Sequence, residues 1–141
     1  MNTAQDLLYQ AYGMRDTDPA KLALLEEAVQ LADAANDTKT GYEARDELID
    51  ASTFSGQGEK MLVAFAWMLN AFDANPDEYS AHSLYWKYKW VLNTARQFPQ
   101  ISAERIDALI ADFEHRLESA GYSPRPALDA RVGWARHRGR R

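Results

Sequence analysis

Leu48-Ile49-Asp50-Ala51-Ser52-Thr53-Phe54-Ser55-Gly56-Gln57-Gly58-Glu59-Lys60-Met61-Leu62-Val63-Ala64-Phe65-Ala66-Trp67-Met68-Leu69-Asn70-Ala71-Phe72-Asp73-Ala74-Asn75-Pro76 decides the fold. Leu48, Ile49 and Ala51 close one helical stripe. Gly56-Gln57-Gly58 is a tight connection, because glycine reaches the left-handed conformation that ends helices. A second helix follows from about Glu59 to Ala74 and is apolar almost all round, which implies burial on several sides. Asn75-Pro76 stops it, since the residue before proline disfavours helical torsions. The uncharged run Met61 to Leu69 is about half of what spans a bilayer, so it reads as a core helix. Two helices joined this closely must run antiparallel.

The same grammar extends outward. Upstream, the first half of this hairpin starts near Asp37 or Thr40 and carries Tyr42, Ala44, Leu48, Ile49 and Ala51. Before it, Asp18-Pro19 opens a helix with Leu22, Leu25, Ala28, Val29, Leu31 and Ala32 at three-to-four spacing, ending near Asn36. Asp18 suits an N-cap and Pro19 the first helical position. A first helix runs roughly from Thr3 to Met14. Downstream, a fifth helix is expected from about Asp77 to Gln97. The sixth is capped by Ser102, striped by Ile106, Leu109, Ile110, Phe113 and Leu117, and closed by Gly121. A short seventh runs from Ala127 to about Arg136. No sustained alternation and no hairpin dipeptide speaks for strands. The expected fold is therefore all-α, built of antiparallel helical hairpins. Residues 1–121 form a helical domain of about six helices, and residues 122–141 a Pro/Arg-rich segment with a short terminal helix.

Leu48, Ala51, Ser52, Ala64, Ala71 and Pro76 fall where a tetratricopeptide repeat has its hydrophobic, small, small, alanine, alanine and proline positions. Residues 45–76 thus resemble such a repeat, with Ser52 where glycine is usual and Met68 where an aromatic is usual. The resemblance implies a short superhelix of stacked hairpins; an irregular helical bundle is the alternative. The apolar-dense helices begin near residues 19, 59 and 103, a spacing longer than the roughly 34 residues of that repeat. Ala130 to Gly139 resembles the first helix of a further repeat, with Ala135 and Gly139 at the expected interval. It is read either as a capping helix or as the start of a longer solenoid.

Composition bounds the function. The 141 residues contain no cysteine, which removes disulfides and thiolate chemistry and suits a cytoplasmic setting. The N-terminus, Met1-Asn2-Thr3-Ala4-Gln5-Asp6, has no signal-peptide character. Residues 1–121 hold 10 Lys+Arg and 20 Asp+Glu, while residues 122–141 hold six Arg and one Asp. The acidic body disfavours nucleic acid, and the Arg-rich end reads as a solvated terminus.

Chemistry is sparse. His82, His115 and His137 lie on different helices without ligand spacing, so no metal site is assigned. Asp112 and His115, three apart, read as an exposed pair. Glu43, Asp46, Glu47 and Asp50 read as a solvated acidic face, not an acid–base pair. Gly56-Gln57-Gly58-Glu59-Lys60 lacks both the spacing and the preceding strand of a phosphate loop. No catalytic residue, cofactor or metal is expected.

The fifth helix is the informative one. Tyr85, Tyr88, Val91, Leu92 and Ala95 make one stripe. His82, Trp86, Lys89, Trp90 and Asn93 make a second, rotated by about 100°. Either the second stripe is core, or it lines a groove. With Tyr79, these five are the candidate partner-binding residues, because tryptophan and tyrosine anchor interfaces. The expected function is a non-catalytic module that binds a protein or peptide through a concave helical face, with homo-oligomerisation allowed and no membrane partner. A peptide- or ligand-sensing effector domain of a larger regulator is the alternative.

Overall fold

The computed structural model of the chain describes residues 3–140. Seven α-helices and one 3₁₀ turn make up the described residues, with no strand among them: α1 Ala4–Tyr12, α2 Pro19–Ala34, α3 Thr38–Phe54, α4 Gly58–Ala74, the turn Pro76–Glu78, α5 Ala81–Ala95, α6 Ala103–Ser119 and α7 Arg125–Arg138.

Three of the helices end in the same way. Asn36, Gly56 and Gly121 take left-handed torsions, with φ of 54°, 73° and 78°. The next residue then turns its N–H back onto the closing helix: Asp37 to the Ala32 carbonyl at 2.8 Å, Gln57 to Ser52 at 2.8 Å, Tyr122 to Leu117 at 2.9 Å. This recovers carbonyls that a helix end otherwise leaves unpaired. After α2 the reversal is very short, because Asp37 also caps α3 by accepting the Thr40 N–H. The other caps follow the sequence: Thr3 and Asp6 form a reciprocal capping box, and Asp18, Ser80 and Ser102 accept from Ala20, Ser83 and Arg105.

The fifth helix is shorter than expected. Pro76–Glu78 forms a separate 3₁₀ turn, Tyr79 is extended, and Ser80 starts α5 afresh. A good serine cap outcompetes continuation of the turn. The last helix is longer than expected, beginning at Arg125 because Pro126 is harmless in a first turn.

Contacts divide the chain into two compact units, Met1–Tyr79 and Ser80–Arg141. In the first, α1 packs on α2 and α3, α2 on α3, and α3 on α4. Small residues allow the approach: Ala28 and Ala32 on α2 and Gly41, Ala44, Ala51 and Ser52 on α3 are buried. A Cβ at Gly41 would lie 3.7 Å from the Ala32 methyl. Leu25, Ile49, Met61, Phe65 and Met68 fill the remaining core. This unit also buries charge. Lys21 bonds Asp16 at 2.7 Å and Glu47 at 3.1 Å. Burial pulls its pKa down, yet these two carboxylates hold it above the ordinary value. The Arg45 guanidinium grips both carboxylate oxygens of Asp33, at 3.1 and 2.8 Å, and lies 3.8 Å from the centre of the Trp67 ring.

In the second unit, α5, α6 and α7 pack on one another. Tyr88 stacks on Phe113 at 4.5 Å and donates its hydroxyl proton toward the Leu109 carbonyl and Asp112, at 3.0 and 2.7 Å. Trp134 is buried and donates its indole N–H to Asp107 at 2.8 Å. Aromatic bodies with a satisfied polar tip do here what small residues do in the first unit. No helix among the described residues is long and apolar enough to cross a membrane.

Candidate functional site: an aromatic cleft on α5

The two stripes of α5 part company. Leu84, Tyr88, Val91, Leu92 and Ala95 are buried, whereas Tyr85 is half-buried. On the other stripe His82 and Asn93 are exposed, Lys89 and Trp90 half-buried, and Trp86 is 67% exposed. Lysines attend both rings: Lys89 sits 5.3 Å from the Trp86 centroid and Lys87 5.4 Å from that of Trp90. Exposed cation–π contacts of this kind are worth about 0.5–1 kcal/mol.

Trp86 forms the edge of an open cleft of about 220 Å³, lined also by His82, Tyr85, Phe113, Leu117, Tyr122, Ser123 and Pro126. Three stretches converge on it. α5 supplies the first wall and α6 the floor. The left-handed Gly121 then swings Tyr122 against Tyr85, edge to face at 5.5 Å. Tyr85 also leans on Phe113 at 6.2 Å. Apolar and aromatic surface dominates the lining. Its only non-aromatic polar side chain is Ser123, and no carboxylate lines it. Such a cleft offers a seat for an apolar group.

The candidate residues are thus divided. His82 and Trp86 line the cleft; Lys89 reaches the Trp86 ring; Trp90 and Asn93 continue the same helix outside the lining. Tyr79 belongs to the first unit, where it stacks on Tyr42 at 4.2 Å. Together with burial and the Asp46 charge, this contact pushes the Tyr42 phenol up to about 12, burial being the largest cause. Sequence reasoning treated Tyr85, Phe113 and Leu117 as core stripe and passed over Tyr122, Ser123 and Pro126. Cleft walls from three stretches leave no periodic signal; the left-handed Gly121 followed by an aromatic was the only local hint.

Several polar groups elsewhere are structurally engaged. Asp112 accepts from Tyr88 and from Arg116 at 2.7 Å, so it is not reserved for His115. Burial and that bond to Asp112 push the Tyr88 phenol well above its ordinary value. Glu47 of the acidic α3 face is bound to Lys21. No group of three potential metal ligands occurs among the described residues. Comparison with family models, with curated proteins and with solved structures finds no match for this chain.

Proposed function

We propose that this protein is a non-catalytic interaction module that seats an apolar side chain of a peptide or protein partner in the α5 cleft. The carrying observation is Trp86, a large aromatic left 67% exposed at the lip of an apolar cleft. Exposed tryptophan beside a concave apolar surface is the usual anchor of an interface. The cleft holds about 220 Å³. That is below the roughly 300–1,000 Å³ of small-molecule sites, so one protruding side chain suits it better than a sensed metabolite. For the first unit we propose a tetratricopeptide-like stacking of hairpins. There α3 touches both α1 and α2, as a helix inserted between hairpins does, and Ser52 and Ala51 keep the helices close.

The test is a displayed-peptide selection on the full chain, repeated on Trp86→Ala and Leu117→Asp. Enriched peptides should share an apolar anchor, lose binding to both variants, and shift tryptophan emission of the parent protein. Enrichment of the same peptides on the variants would sink the reading.

A further inference from the structure

One face of α7 has no partner among the described residues of the second unit. Ala127, Ala130 and Trp134 point into the second unit, and Arg131 and Arg138 are tied to α6 through Glu114 and Asp107, at 2.6 and 3.1 Å. The opposite face presents Leu128 (44% exposed) and Val132 (52%), with Ala135 and Gly139 on the same stripe. Arg125 and Arg136 edge this stripe on one side, exposed and without an ion-pair partner among the described residues, with the exposed Asp129 just beyond them. At about 100° per residue the stripe and its two arginines fall within an arc of about 100°.

The first unit carries a matching surface. Tyr9, Tyr12 and Phe54 are exposed there. One face of α3 runs Glu43, Glu47, Asp50, Phe54 at helical spacing, with Glu43 and Phe54 exposed, Glu47 and Asp50 half-buried, and Glu47 held by Lys21. Tyr12 lies close to that face. Its phenol is raised first by burial and then by the charges of Glu43, Glu47 and Asp46. Aromatic rings beside carboxylates are the natural seat for an apolar helix edged with arginine, which stacks on rings and pairs with carboxylates. Charge is segregated in the same sense. Residues 1–79 hold 5 Lys+Arg and 15 Asp+Glu, net −10, and residues 80–141 hold 11 and 6, net +5.

We propose that the protein associates with itself head to tail, the outward face of α7 in one copy docking on the Tyr9–Tyr12 face beside Glu43 in a second copy. The occupant is a second copy because each chain supplies both surfaces in equal number and opposite charge. The contact joins two different surfaces, so it builds a reciprocal pair or an open series, whichever its rotation dictates. The α7 stripe is only about three turns long, so the interface is small and the association weak.

Sedimentation equilibrium of the full chain tests this, across protein concentrations spanning about three decades up to about 1 mM. The mean mass should climb with concentration at about 50 mM salt and fall toward the monomer at about 500 mM, as screening shortens the reach of exposed charges. Arg125→Glu/Arg136→Glu alone, and Glu43→Lys alone, should each remain monomeric, while an equimolar mixture of the two should regain mass. All these positions are exposed, and circular dichroism checks that each variant is folded. Trp86→Ala should associate like the parent. A parent that stays monomeric throughout overturns the proposal. So does association indifferent to the charge reversals, or association abolished by Trp86→Ala, which would put the contact at the cleft.

Discussion

The two units solve the same problem, helix against helix, with opposite materials. Met1–Tyr79 brings helices together over Ala28, Ala32, Gly41, Ala44 and Ser52, and spends its larger side chains behind them. Ser80–Arg141 wedges Tyr88, Phe113 and Trp134 between α5, α6 and α7 and ties the aromatic tips to Asp112 and Asp107. Close backbones leave little room at the helix surfaces. Aromatic spacers hold helices further apart, and the open cleft lies in the unit built that way. The difference teaches where a binding surface can form: packing with large rings leaves recesses at its edges.

That contrast can be broken most forcefully at Phe113. Phe113→Ala removes the ring that stacks on Tyr88 and should cost about 3–5 kcal/mol. Because the loss falls in one unit, urea melts followed by tryptophan emission should expose an early transition of Ser80–Arg141. A single unchanged transition would mean that the units do not unfold separately. Next in size is Arg45→Lys, where the two-pronged grip on Asp33 and the stacking on Trp67 are both lost. A lysine, a single-point ammonium, can reproduce neither the fork on Asp33 nor the flat stacking on Trp67 in full, so about 1–2 kcal/mol should disappear from the melt.

Alkaline titration sharpens the same comparison. A phenol whose folded pKa is raised keeps its proton longer in the native state than in the unfolded chain. The associated stability is intact below about pH 10, the unfolded value, and drains as pH rises toward the folded value. Tyr42, pushed up to about 12, places that window at roughly pH 10–12 for the first unit. Melting temperature should fall across it, and the fall should be shallower in Tyr42→Phe; an identical slope would count against the burial of that phenol. The smallest effect is at Ser52, whose buried hydroxyl has no hydrogen-bond partner among the described residues. Ser52→Ala relieves a desolvated donor, so stability should be unchanged or higher by up to about 1 kcal/mol. A loss of more than that would show the hydroxyl to be satisfied.

Much of this fold was legible before any coordinates. Caps at Asp18 and Ser102, the stop at Asn75-Pro76 and the turn at Gly56 are local, and local chemistry is written in consecutive residues. The break before α5 was missed because Asp77 looked like a continuing first turn, while the deciding bond belongs to Ser80. The candidate site was half legible. The helix and its outward stripe followed from spacing, but Tyr122 and Pro126 reach the cleft only through the return of the chain after α6. Tyr79, close in sequence, went to a different neighbour because an extended residue pointed it at Tyr42.

The left-handed stops at Asn36, Gly56 and Gly121 carry a consequence for the history of such a chain. Each is a self-contained reversal whose hydrogen bonds close within six residues, Ala32 to Asp37, Ser52 to Gln57 and Leu117 to Tyr122. A segment cut and pasted between two such stops brings its own punctuation with it. A gene could therefore gain or shed a helix at these junctions without inventing a new loop, and the lengthening or shortening of the protein becomes a matter of copying.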